Sequence, residues 1–312
     1  MTSRRQLLQL ASAAGAGALT TSAWVREPKR KGNEVTTFVF VSGANGPASG
    51  DSELALRGHR TVGVSLPGHD PAEQFHLAYQ APQDLTTLAT LPSPVSALTL
   101  DDYVEATVRV VRRVADHGPV ILVGGSMGGI TITKVADEVP RLIDRLVYGS
   151  AFCCTGLRSA ADYLSTPEAQ TSLLPELVKG MIADPRVIKA TRTNWRSNDP
   201  VFLRAAKAAL MAGASDGELL ALLNTLLPDE TLTVPSADGR GDPDRWGQVP
   251  RTYIRHSQDR CIPLDLQNRM IREADEATPG NAFDVKTVAT SHVPVGKAGR
   301  QITDILDRLA RG

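Results

Sequence analysis

Ser126 stands in Gly124-Gly125-Ser126-Met127-Gly128, a Gly-x-Ser-x-Gly pattern whose residue types answer one chemical demand. A serine that attacks a carbonyl must project from a sharp strand-to-helix turn, where a bulky neighbour on either side would clash. Glycines two before and two after remove those clashes, and the helix that follows aims its first N–H groups at the oxygen that becomes charged. A serine hydroxyl is a weak nucleophile without a base, so the chemistry also calls for a histidine. Of six histidines, His292 in Ser291-His292-Val293-Pro294 fits best, because it follows the last predicted strand and precedes the last predicted helix. His256, at the end of another predicted strand, is the competitor. His59, His69 and His76 come early in the chain, and His117 closes a helix, a common place for a cation. An elbow serine is followed in chain order by its acid and then by its histidine. Asp259, in Ser257-Gln258-Asp259-Arg260-Cys261-Ile262-Pro263, meets that order, with Asp265 and Asp144 as alternatives. Its task would be to hold the imidazole tautomer and stabilise the imidazolium. Two backbone donors complete the set: the N–H of Met127, and that of Ala44 in Ser42-Gly43-Ala44, with Gly43 as the fallback.

The elements needed to position these residues are legible. Thr36 to Val41, Thr61 to Leu66, Val120 to Val123, Leu142 to Gly149, Arg251 to Arg255 and Phe283 to Val288 read as strands. Several are continuous apolar runs, as expected of strands covered on both faces. Helical patterns separate them. Thr99 starts one with a cap and early carboxylates, and Val104, Val108, Val111 and Val114 recur at helical spacing up to Gly118. Others run from the elbow through Val139, from about Pro263 to Ala274, and from about Lys297 to Leu309. Strand–helix alternation of this kind predicts a mostly parallel sheet with helices on both faces. Between Thr155 and Trp246 the strands vanish and Leu/Ala/Met-rich helical segments replace them, at Leu173 to Ile182, Val201 to Ala212 and Glu218 to Leu227. The division expected is a core of residues 34–154 and 247–312 with an inserted helical cap over 155–246, set over the carboxyl edge of the sheet.

Phe38 to Gly46, the elbow, Asp259 ahead of Ile262-Pro263, and Ser291-His292 together resemble the α/β-hydrolase superfamily, over roughly residues 34–311. The likeness is strongest to the branch that holds plant methylesterases and hydroxynitrile lyases. It implies an α/β-hydrolase fold and a Ser126–His292–Asp259 triad that cleaves a carboxylic ester through an acyl-enzyme. Two positions depart from the branch pattern: Ser42-Gly43 replaces His-Gly after the first strand, and Gly125 replaces the histidine that often precedes the serine. Lyases of the branch pair the histidine with an adjacent lysine and carry a threonine near the oxyanion loop. Val293 and Gly43 stand here instead, which counts against lyase chemistry. A lyase, a cofactor-free oxygenase or a small-molecule binder on the same scaffold remains the alternative. The cap composition points to a fairly apolar ester as the small-molecule partner. Leu66-Pro67-Gly68-His69-Asp70 resembles a structural turn of the superfamily.

Composition excludes other classes. The 312 residues carry 34 Lys+Arg against 34 Asp+Glu, and only 4% aromatics, so there is no electrostatic case for nucleic acid or an anionic membrane surface and no stacking platform for bases is expected. No Walker or dinucleotide pattern and no metal-ligand spacing occurs, so no cofactor and no metal is expected. Cys153, Cys154 and Cys261 are odd in number and lack a disulfide framework, which suits small buried residues. Arg4-Arg5 before the Ala/Gly-rich stretch Leu7 to Ala18, with Thr21-Ser22-Ala23 after it, reads as a twin-arginine export signal over residues 1–23. That stretch is too short and too weakly apolar to span a membrane. A periplasmic or extracellular location follows if it is a signal, and a cytoplasmic one if it is a frayed amphipathic helix. The composition specifies no oligomeric state.

Overall fold

The computed structural model describes residues 35–312, so the export segment expected over residues 1–23 lies outside the described residues. Six strands build the central sheet: β1 (Thr37–Val41), β2 (Arg60–Gly63), β3 (Val120–Ser126), β4 (Arg145–Ala151), β7 (Arg251–His256) and β8 (Asp284–Val288). Their order across the sheet is β2-β1-β3-β4-β7-β8, and every neighbouring pair runs parallel. This is the expected α/β arrangement, and the strand alternation explains its two layers. Val39, Val41, Leu122, Leu146, Tyr148 and Tyr253 point to one face. There they meet Val104, Val108 and Val111 of the helix Leu100–Ala115, Ile132 and Val135 of Gly128–Glu138, and Leu266 and Met270 of Leu264–Ala277. Phe38, Ile121, Val147, Ile254 and Val288 point the other way, onto Leu54 and onto Ile305 and Leu306 of the terminal helix Gly296–Arg311. With both faces covered, each side chain removed from water contributes on the order of 2 kcal/mol, so the apolar runs specify the register.

Local chemistry sets the boundaries. The helix Leu100–Ala115 opens with a capping box in which the Thr99 hydroxyl accepts from the Asp102 N–H and the Asp102 carboxylate accepts from the Thr99 N–H. The second strand stops at Gly63, short of the predicted Leu66. The fourth starts at Arg145 because Pro140–Leu142 forms a 3₁₀ turn first.

The segment joining β4 to β7 differs from its sequence reading in two places. Its strands do not vanish: β5 (Ala190–Arg192) pairs antiparallel with β6 (Asp229–Thr231). These strands are too short to show a period of two, and they carry a buried ion pair, Arg192 Nε to Asp229 Oδ1 at 2.6 Å, where apolar residues would have announced a strand. The helix expected over Leu173 to Ile182 is a 3₁₀ helix, Leu174–Gly180. Pro200–Leu210 and Asp216–Thr225 are α-helices within two residues of their expected bounds. The segment bonds to loops that follow strand carboxyl ends. Leu227 N–H donates to Asn45 O after β1, the Cys261 thiol to Ala209 O after β7, and Val293 N–H to Leu210 O after β8. Among the described residues, no helix is long and apolar enough to cross a membrane.

Candidate active site

Ser126 is the last residue of β3, and its φ of +50° puts a side-chain-bearing residue in the left-handed region. Met127 then returns to helical geometry and Gly128–Glu138 begins. Close backbone approach explains the glycines. A Cβ on Gly128 would stand 2.6 Å from Val41 O, and one on Gly43 would stand 2.8 Å from Ser126 Cβ. The loop after β1 therefore lies directly against the elbow. Ser42, Gly43, Ala44, Met127 and Gly128 all line one cavity, so Ala44 and Met127 border the same space.

His292 follows β8, and its Nδ1 lies 2.7 Å from Asp259 Oδ2. The side chains are 11% and 0% exposed, so water screens this pair little. Asp259 Oδ1 accepts from the N–H groups of Cys261 at 2.6 Å and Ile262 at 3.0 Å, while Oδ2 also accepts from the Ser150 hydroxyl at 2.5 Å. Burial alone would push the Asp259 pKa up. His292, the Ser150 hydroxyl and the Ile262 N–H outweigh that and hold it below the usual carboxylate range. The acid is thus an anion with each oxygen occupied.

The competing residues make other contacts. His256 ends β7 but bonds the backbone of the histidine loop, Nδ1 to His292 O at 3.1 Å, and its buried Nε2 has no partner. Burial, then the proximity of His292, push its pKa down to about 4, which leaves it neutral near pH 7. Asp265 is exposed in the first turn of Leu264–Ala277. Asp144 accepts from Val120 N–H at the opposite end of β3 from Ser126.

Several supporting residues were not singled out from sequence. Asn45, at φ +60°, donates its N–H to Glu230 Oε2 at 2.7 Å and its amide to Leu227 O at 2.8 Å, tying the loop that carries Ala44 to the segment above. Beneath that loop, His69 bonds Gly46 O and the Tyr103 hydroxyl, and lies 3.4 Å from Glu230. Burial opposes a charge on His69, yet Glu230 and the Gly46 carbonyl raise its pKa. The Leu66-to-Asp70 turn therefore anchors the loop, and only the long-range partner Glu230 reveals how.

Donor atoms of Asp259, Cys261 and His292 lie within 4.8 Å of one another. The set suits a metal poorly. Burial and the nearby Asp259 push the Cys261 thiol up, keeping it protonated toward Ala209 O, and the Asp259 oxygens are already occupied. All three cysteines are free and buried.

Comparison with known proteins places these features in context. The model of the alpha/beta hydrolase family matches residues 38–304. An alpha-hydroxynitrile lyase of Arabidopsis thaliana is 27% identical over 183 residues, 58% of this chain and 68% of that protein. Methylesterase 7 of the same plant is 26% identical over 220 residues, 68% of this chain and 77% of its own length. The crystal structure of a pyrethroid hydrolase from Sphingobium faniae superposes with a TM-score of 0.64 at 18% identity, covering 89% of this chain and 98% of that one, a likeness of fold.

Proposed function

Since the chain belongs to the alpha/beta hydrolase family, we propose that it is a serine esterase cleaving a carboxylic ester of a fairly apolar small molecule. The family and its methylesterase relative support ester hydrolysis in general. The triad reading rests on one observation above all: the buried His292–Asp259 pair at 2.7 Å, in the same fold as an elbow serine at positive φ.

In this mechanism Ser126 Oγ attacks the ester carbonyl and His292 takes its proton. Asp259, bonded to Nδ1, keeps the other ring nitrogen free to accept and stabilises the imidazolium that forms. The N–H groups of Ala44 and Met127 meet the oxyanion, aided by the helix that starts at Gly128. His292 returns the proton to the leaving alcohol, and water resolves the acyl-enzyme by the same route in reverse. An apolar substrate accords with Leu66, Met127 and Val234, which line the cavity bordered by Gly43, Ala44 and Gly128.

The lyase relative motivates a second reading, but Val293 occupies the position after His292 and packs against the apolar cluster of Trp195, Phe202, Leu210 and Leu219. No ammonium follows the histidine there. Ester turnover decides between the two. A fluorophosphonate probe should label Ser126 stoichiometrically, and p-nitrophenyl esters should turn over in a Ser126-dependent way. Folded protein that resists the probe and every ester would overturn the proposal.

A further inference from the structure

β4 carries one residue more than its partner next to the elbow. Gly125 pairs with Gly149 and Ser126 with Ala151, so Ser150 is the extra residue of a bulge. Bulges re-aim a side chain, and this one does so at a cost, because Ser150 has φ +38° and is fully buried. Neighbouring bonds lock the bulge. The Tyr253 hydroxyl accepts from Ala151 N–H and donates to Ala151 O, and Phe152 N–H donates to the carbonyl of Ser126 itself. The result is a Ser150 hydroxyl 2.5 Å from Asp259 Oδ2, the oxygen that also receives His292 Nδ1 at 2.7 Å.

We propose that Ser150 is a positioning residue of this site, whose hydroxyl fixes the Asp259 carboxylate in the orientation that meets His292 and moderates its basicity. The oxygen it touches has two donors, and the other oxygen is held by the N–H groups of Cys261 and Ile262. Without the hydroxyl, one lone pair of a buried anion is unmet, the carboxylate becomes a stronger acceptor for the imidazole proton, and one of the four bonds that fix its orientation is lost. The other titratable groups that face this pair are His256, Cys261 and Tyr253. Burial keeps Cys261 and Tyr253 protonated and His256 neutral, so none of them brings a compensating charge to the pair near neutral pH.

The inference rests on the esterase reading, and its test has an arm that does not. Ser150→Ala and Ser150→Gly both remove the hydroxyl, while glycine alone accepts the positive φ without strain. With a p-nitrophenyl ester, both variants should lose about tenfold in kcat with KM changed less than about twofold, the size expected of one hydrogen bond to a charged group. The acid limb of the kcat/KM–pH profile should move upward by roughly half a unit as the carboxylate loses a donor. In proton NMR, the low-field resonance of the His292 Nδ1–H should shift in both variants, whether or not the protein turns over any ester. Unchanged rates, pH profile and resonance in the glycine variant would overturn the proposal. So would a defect confined to the alanine variant, which would trace to backbone strain instead. Failure of the esterase reading alone would show as an inactive wild type that still carries the Ser150-dependent resonance.

Discussion

Replacing Asp259 by asparagine keeps the side-chain shape and removes the charge, and the surrounding bonds dictate how the amide must sit. Oδ1 receives two backbone N–H groups, from Cys261 and Ile262, so the amide oxygen has to occupy that side. The amide nitrogen is then forced to the Oδ2 position, against the Ser150 hydroxyl and His292 Nδ1. An NH₂ donor there requires Nδ1 to be an acceptor, which puts the imidazole proton on Nε2, the nitrogen that must take the proton of Ser126. The wrong tautomer should lower kcat about 10⁴-fold, equivalent to about 5 kcal/mol at ~1.4 kcal/mol per decade. Stability should change far less, by about 2 kcal/mol or under, because the Cys261 and Ile262 N–H groups keep their acceptor and the Ser150 hydroxyl and His292 Nδ1 can each accept from the amide. The assay is p-nitrophenyl ester turnover, with the rate of fluorophosphonate labelling followed in parallel and urea unfolding as the control for folding. A folded Asp259→Asn variant within about tenfold of wild-type kcat would refute the tautomer argument and remove Asp259 from the triad.

Three further outcomes follow from particular residues. Ser126→Gly and Ser126→Ala should both abolish labelling and turnover, but the glycine variant should be the more stable by about 1 kcal/mol in urea, since the φ of +50° strains alanine; equal stabilities would discount strain at the elbow. Gly43→Ala would set a Cβ 2.8 Å from Ser126 Cβ and displace the serine or the loop, so kcat should fall about 10²-fold with the fold retained; a wild-type rate would mean that the loop yields without consequence. His256 has its pKa lowered from 6.5 to about 4 by burial, so between those values the unfolded chain binds the proton that the folded chain refuses. Stability should therefore fall as pH drops through that window, by roughly 3 kcal/mol in all, and His256→Asn should flatten the fall in urea midpoint against pH. A slope equal to wild type would assign the loss to other groups.

The strands and helices of the core were legible because each is long enough for burial to imprint a period. Val104, Val108 and Val111 mark one helical stripe, and the short runs ending in Val41 and Val123 read as strands covered on both sides. The elbow serine was legible for a related reason: a turn this tight leaves room only for glycine two residues before it and two after, and the requirement is written within five residues. The segment between β4 and β7 was less so. Its short sheet is held by Arg192 and Asp229, which are charged, buried and 37 positions apart, and no local pattern signals a pair of that kind.

The sequence by itself outlined the proposed reaction centre: a serine on an elbow, an acid after one strand and a histidine after a later one, in the order expected of the fold. Chain order already favoured His292 over His256, and the tertiary structure adds what their rings reach: Asp259 in one case and a backbone carbonyl in the other. It alone also brought Ser150 to Asp259 and Glu230 to the loop of Ala44, across 109 and 185 positions of chain. The physical reason is the range of the forces involved. Steric limits and hydrophobic periodicity act between neighbours and leave their record in local residue types. A hydrogen bond to a buried carboxylate depends on angles and tenths of an ångström that are settled only when distant strands are in register.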